Sequence, residues 1–143
     1  MKYLFLDIDG VLNNGTGPFL HEDKVKLLSE IIEETNAKII LVSSWKDGWY
    51  NDKSLCTARA KIIDSVFEKF GIFIYDKTED NNSWQRGKGI NDFLKEHFSE
   101  KWIVLDDEDF PDYKEYCNGH IVFTKFENGL TEKEKTEAIN LLM

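Results

Sequence analysis

The stretch Tyr3-Leu4-Phe5-Leu6-Asp7-Ile8-Asp9-Gly10-Val11 decides the fold. Tyr3 to Leu6 is apolar at every position, as a strand covered on both faces is, because its odd and even side chains must both be buried. Two carboxylates, Asp7 and Asp9, then leave the strand, and Gly10 offers a sharp turn into the next element. Taken alone, this ending is equally an ordinary polar turn. The rest of the chain separates the two readings.

Helical periodicity follows from about His21 to Thr35, with Val25, Leu28, Ile31 and Ile32 on one side. Lys38 to Val42 carries the strongest strand signal, Ile39-Ile40-Leu41-Val42. A helix over about 54–70 ends at Gly71, a suitable C-terminal cap, and Ile72 to Tyr75 forms a third strand. The helix over about 88–98 buries Ile90, Phe93, Leu94 and His97. Trp102 to Leu105 and His120 to Phe123 supply two more strands. Thr131-Glu132-Lys133-Glu134 reads as a capping box that opens a final helix through Leu142. Short apolar runs alternating with helical segments predict one α/β domain over residues 1–143. Its expected form is a doubly wound, Rossmann-like sheet of five mainly parallel strands with helices on both faces.

Composition bounds the function. At 143 residues the chain fills one domain, and 41% hydrophobic with 13% aromatic content excludes a disordered one. Eighteen basic against 27 acidic residues give a net charge of −9, a field that repels polyanions at long range. No apolar run reaches the ~20 residues of a membrane span, and Asp7 comes too early for a signal peptide. The expectation is a soluble cytoplasmic protein, away from membranes, with no obligate protein partner evident. Cys56 and Cys117 lack CxxC spacing and are expected as reduced thiols. His21, His97 and His120 have no metal-type spacing.

In doubly wound sheets, ligands bind at the carboxyl ends of the strands. Asp106-Asp107-Glu108-Asp109 follows the fourth strand, either as a solvated acidic loop or as part of a site. If that strand lies beside the first, several carboxylates converge, and their repulsion calls for a neutralising charge. A hard divalent cation supplies one, Mg²⁺ being usual beside phosphate, and a carboxylate there can act as a nucleophile. Ser43 and Ser44 end the second strand with hydroxyls that hold phosphate oxygens or cap a turn. Lys88, in Arg86-Gly87-Lys88-Gly89, brings an ammonium to a helix start near an anion, or is a solvated lysine. Trp45, Trp49, Tyr50 and Trp84, interleaved with Lys46, Lys53 and Arg86, either stack bases or pin loops to the body.

These features, in this order, resemble the haloacid dehalogenase superfamily of phosphohydrolases. Asp7-Ile8-Asp9-Gly10-Val11 matches its DxDGx motif, Ser43 its hydroxyl after an apolar strand, Lys88 its lysine at a helix start, and Asp106-Asp107 its acidic pair. A closer likeness, carried by Leu4 to Asn13 and Val42-Ser43-Ser44-Trp45-Lys46, is to the small phosphatase domains of polynucleotide kinase-phosphatase and RNA-repair type. The resemblance implies a Mg²⁺-dependent phosphomonoester hydrolase in which Asp7 forms an aspartyl-phosphate and Asp9 is general acid, then base. It also implies Mg²⁺ held by Asp7, the backbone carbonyl of Asp9 and Asp107. Asp106 would stand behind them, orienting Lys88 or a metal-bound water, and Ser43, Ser44 and Lys88 would hold the phosphoryl oxygens. The stretches from Gly10 to His21 and from Asp76 to Gly87 are too short for the family's cap domain. A capless, open site suits a large phosphorylated substrate, a nucleic-acid end or a phosphoprotein.

Three alternatives are weighed against that reading. One is a small-molecule phosphatase or nucleotidase, and another a catalytically silent binding module of the same fold. A signalling receiver domain built on Asp76 and Lys125 leaves Ser43, Asp106 and Asp107 without a role. Arg86-Gly87-Lys88-Gly89 lacks the GxxxxGK[ST] frame of a nucleotide-binding P-loop.

Overall fold

The computed structural model describes residues 1–79 and 83–143. Five strands, β1 (Tyr3–Leu6), β2 (Lys38–Leu41), β3 (Ile74–Lys77), β4 (Trp102–Asp106) and β5 (Ile121–Phe123), form one sheet in the order β3-β2-β1-β4-β5. Every neighbouring pair is parallel. The chain winds outward from β1 to β3, then returns to lay β4 against β1. The winding direction therefore reverses between β1 and β4, the crevice where doubly wound sheets bind ligands. The expected α/β architecture is the one formed.

Alternation along the strands divides the core into two layers. Leu4, Leu6, Ile39, Leu41, Ile103 and Leu105 pack beneath α1 (Glu22–Thr35), α2 (Ala58–Lys69) and α5 (Glu132–Leu142), where Leu28, Phe67 and Leu142 are fully buried. Tyr3, Phe5, Ile40, Val42 and Val104 face the other way, onto Ile90 and Phe93 of α3 (Arg86–Glu96) and Tyr113 and Cys117 around α4 (Tyr113–Tyr116). Phe5 sits among Tyr3, Phe93 and Trp102, edge-on to the last two at 5.7 and 5.8 Å. Cys56 and Cys117 are both buried and unbridged. Among the described residues, no helix is long and apolar enough to cross a membrane.

Several boundaries move from their expected places. β3 runs two residues later than the apolar run suggests, because Phe73 and Tyr75 are exposed while Ile72 and Ile74 point inward. A register shift between Ile39 and Ile40 accommodates this edge strand. α2 starts at Ala58, where the Thr57 hydroxyl accepts from the Ala60 amide at 3.2 Å, and Gly71 ends it with φ +74°. Glu134 accepts from both the Thr131 amide and hydroxyl, at 2.9 and 2.7 Å, opening α5 as expected. His97 is not in the core: the chain leaves α3 at this residue, so helical spacing no longer applies, and its exposed ring leans on Phe93 at 4.5 Å. Residues 80–82 of the Asp76–Gly87 connection lie outside the described residues.

Candidate active site

Register alone brings the first two acids together. Leu6 pairs with Leu105, so Asp7 and Asp106 stand side by side at the ends of adjacent parallel strands. The Asp7 amide donates to the Leu105 carbonyl at 3.0 Å. The chain then turns at Gly10, whose φ of +81° suits glycine. A Cβ at Gly10 would come within 2.5 Å of the Asp107 carboxylate, so the missing side chain is what admits Asp107 against this loop. Thr124, beyond β5, donates its hydroxyl to the Gly10 carbonyl at 2.6 Å and fixes the loop from the far side. One carboxylate oxygen each from Asp7, Asp106 and Asp107 lies within 4.8 Å of the others. Together with Asp9, Ser43, Ser44 and Arg86 these acids line a pocket of about 210 Å³.

The cation among the acids is Arg86. Its Nη1 donates to Asp7 Oδ1 at 3.1 Å and Asp106 Oδ2 at 3.0 Å, and its guanidinium lies 4.1 Å from the centre of the Phe110 ring. Arg86 opens α3 because Asp112 caps that helix, accepting from the Gly87 and Lys88 amides at 2.9 Å each. A Cβ at Gly87 would meet Asp112 at 2.8 Å, so this cap needs glycine there. The structure does not bring Lys88 to the pocket. Two residues along a helix is a rotation of about 200°, which sends Lys88 to the opposite face. Its ammonium is exposed and pairs with Asp92 at 2.9 Å.

Asp106 is fully committed to protein partners. Besides Arg86, it accepts from the Tyr113 hydroxyl at 2.5 Å and the Glu108 amide at 3.1 Å. Burial, then Asp106, raises the Tyr113 hydroxyl far above its usual range, so it stays a donor. Burial, then the charges of Asp106 and Asp107, holds the Asp7 carboxyl well above the usual carboxylate range, with Arg86 pulling the other way. Burial and Asp106 likewise raise Asp107. Burial opposes the Arg86 charge, but Asp7 and Asp106 outweigh it and hold the guanidinium firmly protonated. One cation thus faces several converging carboxylates. Asp7 and Asp107, with oxygens not taken up as those of Asp106 are, form an all-oxygen donor pair that fits a hard divalent cation.

Asp9 is exposed at the rim, its oxygens accepting from Asn13 Nδ2 at 3.0 Å and Trp45 Nε1 at 2.9 Å. Ser43 is buried, and its Oγ accepts from the Trp45 amide at 3.3 Å, while Ser44 is exposed beside the pocket. The loop aromatics divide. Trp49 is wholly buried, donates to Asp64 at 3.0 Å and lies under the Lys53 ammonium, so it pins its loop. The Lys77 ammonium covers Tyr50, and Trp84 is exposed. Trp45 donates to Asp9, a carboxylate that lines the pocket. Lys46 is buried with Nζ 3.3 Å from the Thr78 hydroxyl.

Sequence reasoning named Arg86 only among the basic residues beside the loop aromatics and Asn13 only within the family likeness, and it passed over Tyr113 and Asp112. Arg86 carried a usable signal: of two cations flanking Gly87, only one can face the sheet. Asn13 acts within its own loop, on Gly10 and Asp9, whereas Tyr113 and Asp112 act over longer spans that nothing local announces. One family's model, that of the HAD domain in Swiss Army Knife RNA repair proteins, matches residues 3–134. No curated protein and no solved structure matches the chain.

Proposed function

The chain belongs to the haloacid dehalogenase (HAD) domain family of Swiss Army Knife RNA repair proteins, and from that premise we propose a Mg²⁺-dependent phosphomonoesterase that acts on phosphorylated RNA ends through an aspartyl-phosphate on Asp7. The observation that carries the reading is Asp7 itself: a buried carboxylate at a strand end, held by Arg86 and crowded by Asp107. An anionic nucleophile approaches an anionic phosphate only where positive charge offsets both.

In this reading Asp7 and Asp107 hold Mg²⁺, with the Asp9 carbonyl as the expected third protein ligand. Bound there, the metal supplies the charge neutralisation that Arg86 cannot provide alone. Asp7 attacks phosphorus as the bond to the leaving oxygen breaks, and Asp9 gives that oxygen its proton. Water then attacks the phosphorus of the aspartyl-phosphate, Asp9 takes a proton from it, and Asp7 is released with inorganic phosphate. Arg86 takes the place foreseen for Lys88. Its buried Nε–H has no partner among the described residues. Tyr113 and Arg86 keep Asp106 fixed behind the reacting groups. Ser43 and Ser44, which line the pocket, are the hydroxyls this reading gives to the phosphoryl oxygens.

The substrate class rests on the family's description and on the pocket rim, where Phe110 and the half-exposed Phe126 could meet a base. Neither connection carrying a cap domain elsewhere in the superfamily is long enough for one here, so a bulky substrate has access. The test is phosphate release from 3′- and 5′-phosphorylated oligoribonucleotides, nucleotides and p-nitrophenyl phosphate, with and without Mg²⁺, wild type beside Asp7→Asn. Oligoribonucleotide turnover that needs both Mg²⁺ and Asp7 is expected. Preference for free nucleotides overturns the substrate class, and turnover that survives Asp7→Asn overturns the mechanism.

A further inference from the structure

An exposed carboxylate needs no protein partner, because water satisfies it. Asp9 nevertheless receives two donors from different parts of the chain: Asn13 from the loop after β1, and Trp45 from the turn after β2. Both donors are themselves fixed. Asn13 is buried, its Oδ1 accepts from the Gly10 amide at 3.0 Å, and its Nδ2 also donates to the Phe19 carbonyl at 2.8 Å. Trp45 packs its ring against Phe19 at 4.7 Å and lies 4.6 Å from the Arg59 guanidinium. Ordering side chains around a solvated group costs entropy, and what this arrangement gains is direction.

From this geometry we propose that Trp45 is a positioning residue for proton transfer, its indole N–H aiming the Asp9 carboxyl at the leaving-group oxygen. The proposal rests on the reading of Asp9 as general acid. Indole N–H donates only, and the Asn13 amide reaches Asp9 through its NH₂. The proton of the acid form therefore cannot lie between Asp9 and either partner. It is left on a lone pair that neither covers, and Asp9 lines the pocket. In the transfer, that proton passes to the leaving oxygen as its bond to phosphorus breaks, and Trp45 keeps its own proton throughout.

General-acid help matters most when the leaving group is a poor one. The experiment is therefore Trp45→Phe, which keeps a ring against Phe19 and deletes the donor. Single-turnover phosphoryl transfer is measured with enzyme in excess, on p-nitrophenyl phosphate and on a 5′-phosphorylated oligoribonucleotide. The expected result is a rate within about threefold of wild type on the first and a loss of at least about tenfold on the second, below the ~10²–10⁴ that a full general acid contributes. Equal losses on both substrates, or none, overturn the proposal. Arg59→Met controls for packing, since it removes the guanidinium over the ring and leaves the hydrogen bond; it should not change the ratio of the two rates, and a shift in that ratio as large as that of Trp45→Phe would overturn the proposal. Asp9→Asn separates the two levels of argument. If it shows no such dependence on the leaving group, the reading of Asp9 fails, and Trp45 with it.

Discussion

The depression along α2 and β3 and the pocket at the ends of β1 and β4 differ in size, polarity and treatment of charge. The first encloses about 740 Å³ beside Ile72, Phe73 and Tyr75, and of its charged neighbours Lys53, Lys61 and Glu68 stay in water while Asp64 is half-buried and paired with Lys53. The second encloses about 210 Å³ and takes Asp7, Asp106 and Arg86 almost wholly out of solvent. Burying charge is expensive, and a fold does so where it has a use for it. Volume records how elements happen to meet at a sheet edge, whereas unbalanced buried charge marks where chemistry is prepared. On that argument the smaller pocket is the one we propose as the site.

The sharpest way to break this comparison is to remove the proposed nucleophile. Asp7→Asn keeps the shape of the side chain and should lower phosphate release by roughly 10⁴-fold or more, as loss of a nucleophile does elsewhere. A substitution in the larger depression, Phe73→Ser, should leave turnover at the wild-type level in the same assay. If Phe73→Ser were the damaging change, the wrong cavity has been chosen.

Next in size is the contrast between Arg86 and Lys88 on one helix. Arg86→Met leaves two buried carboxylates without their partner and should cost on the order of 3 kcal/mol in urea unfolding, with turnover lost. Lys88→Met removes only an exposed pair with Asp92 and should change neither.

Mg²⁺ sharpens the comparison further. Asp7 and Asp107 both titrate above the usual carboxylate range. Carboxyls with raised values contribute to stability while they keep their protons, and that contribution is lost as pH rises through those values. The metal-free protein should therefore lose stability through this site as pH rises above the ordinary carboxylate range. Mg²⁺ should stabilise the fold most at neutral pH, by about 2.7 kcal/mol when present at a hundred times its dissociation constant, and raise the melting temperature accordingly. The gain should shrink in acid and vanish in Asp107→Asn, as followed by thermal melts over a pH series.

The smallest effect concerns Cys117, whose thiol burial, then Asp112, pushes up to about 12. It should resist iodoacetamide at pH 8 in the folded protein. Its contribution to stability should decline as pH rises from the ordinary thiol range toward that value, because only the unfolded chain ionises there.

The sheet was readable because its signals are local. β1 is an unbroken apolar run, β2 is one after Lys38 and β4 is one up to Asp106, and acids or hydroxyls follow each run closely. β3 misled because an edge strand needs only one buried side, so Phe73 extended the apolar run without belonging to the core. The acids of the site were legible as a pattern, Asp7 to Gly10 and then Asp106-Asp107, because strand order puts them together. The cation was misread because the start of α3 is set by Asp112, twenty-five residues beyond Gly87, and a helix that begins at Arg86 turns Lys88 outward. The bond from Trp45 to Asp9 spans thirty-six positions and has no sequence signature.

The central claim is that Asp7 carries the phosphoryl group, and trapping that group tests it most directly. Wild-type protein is mixed with Mg²⁺ and a 5′-phosphorylated oligoribonucleotide, quenched in acid within the first turnover, and its peptides are weighed. The account predicts a phosphate on the peptide containing Asp7, labile to hydroxylamine and absent from Asp7→Asn. Phosphate released in that first turnover with no adduct on Asp7 at any quench time, or an adduct on another residue, would contradict it.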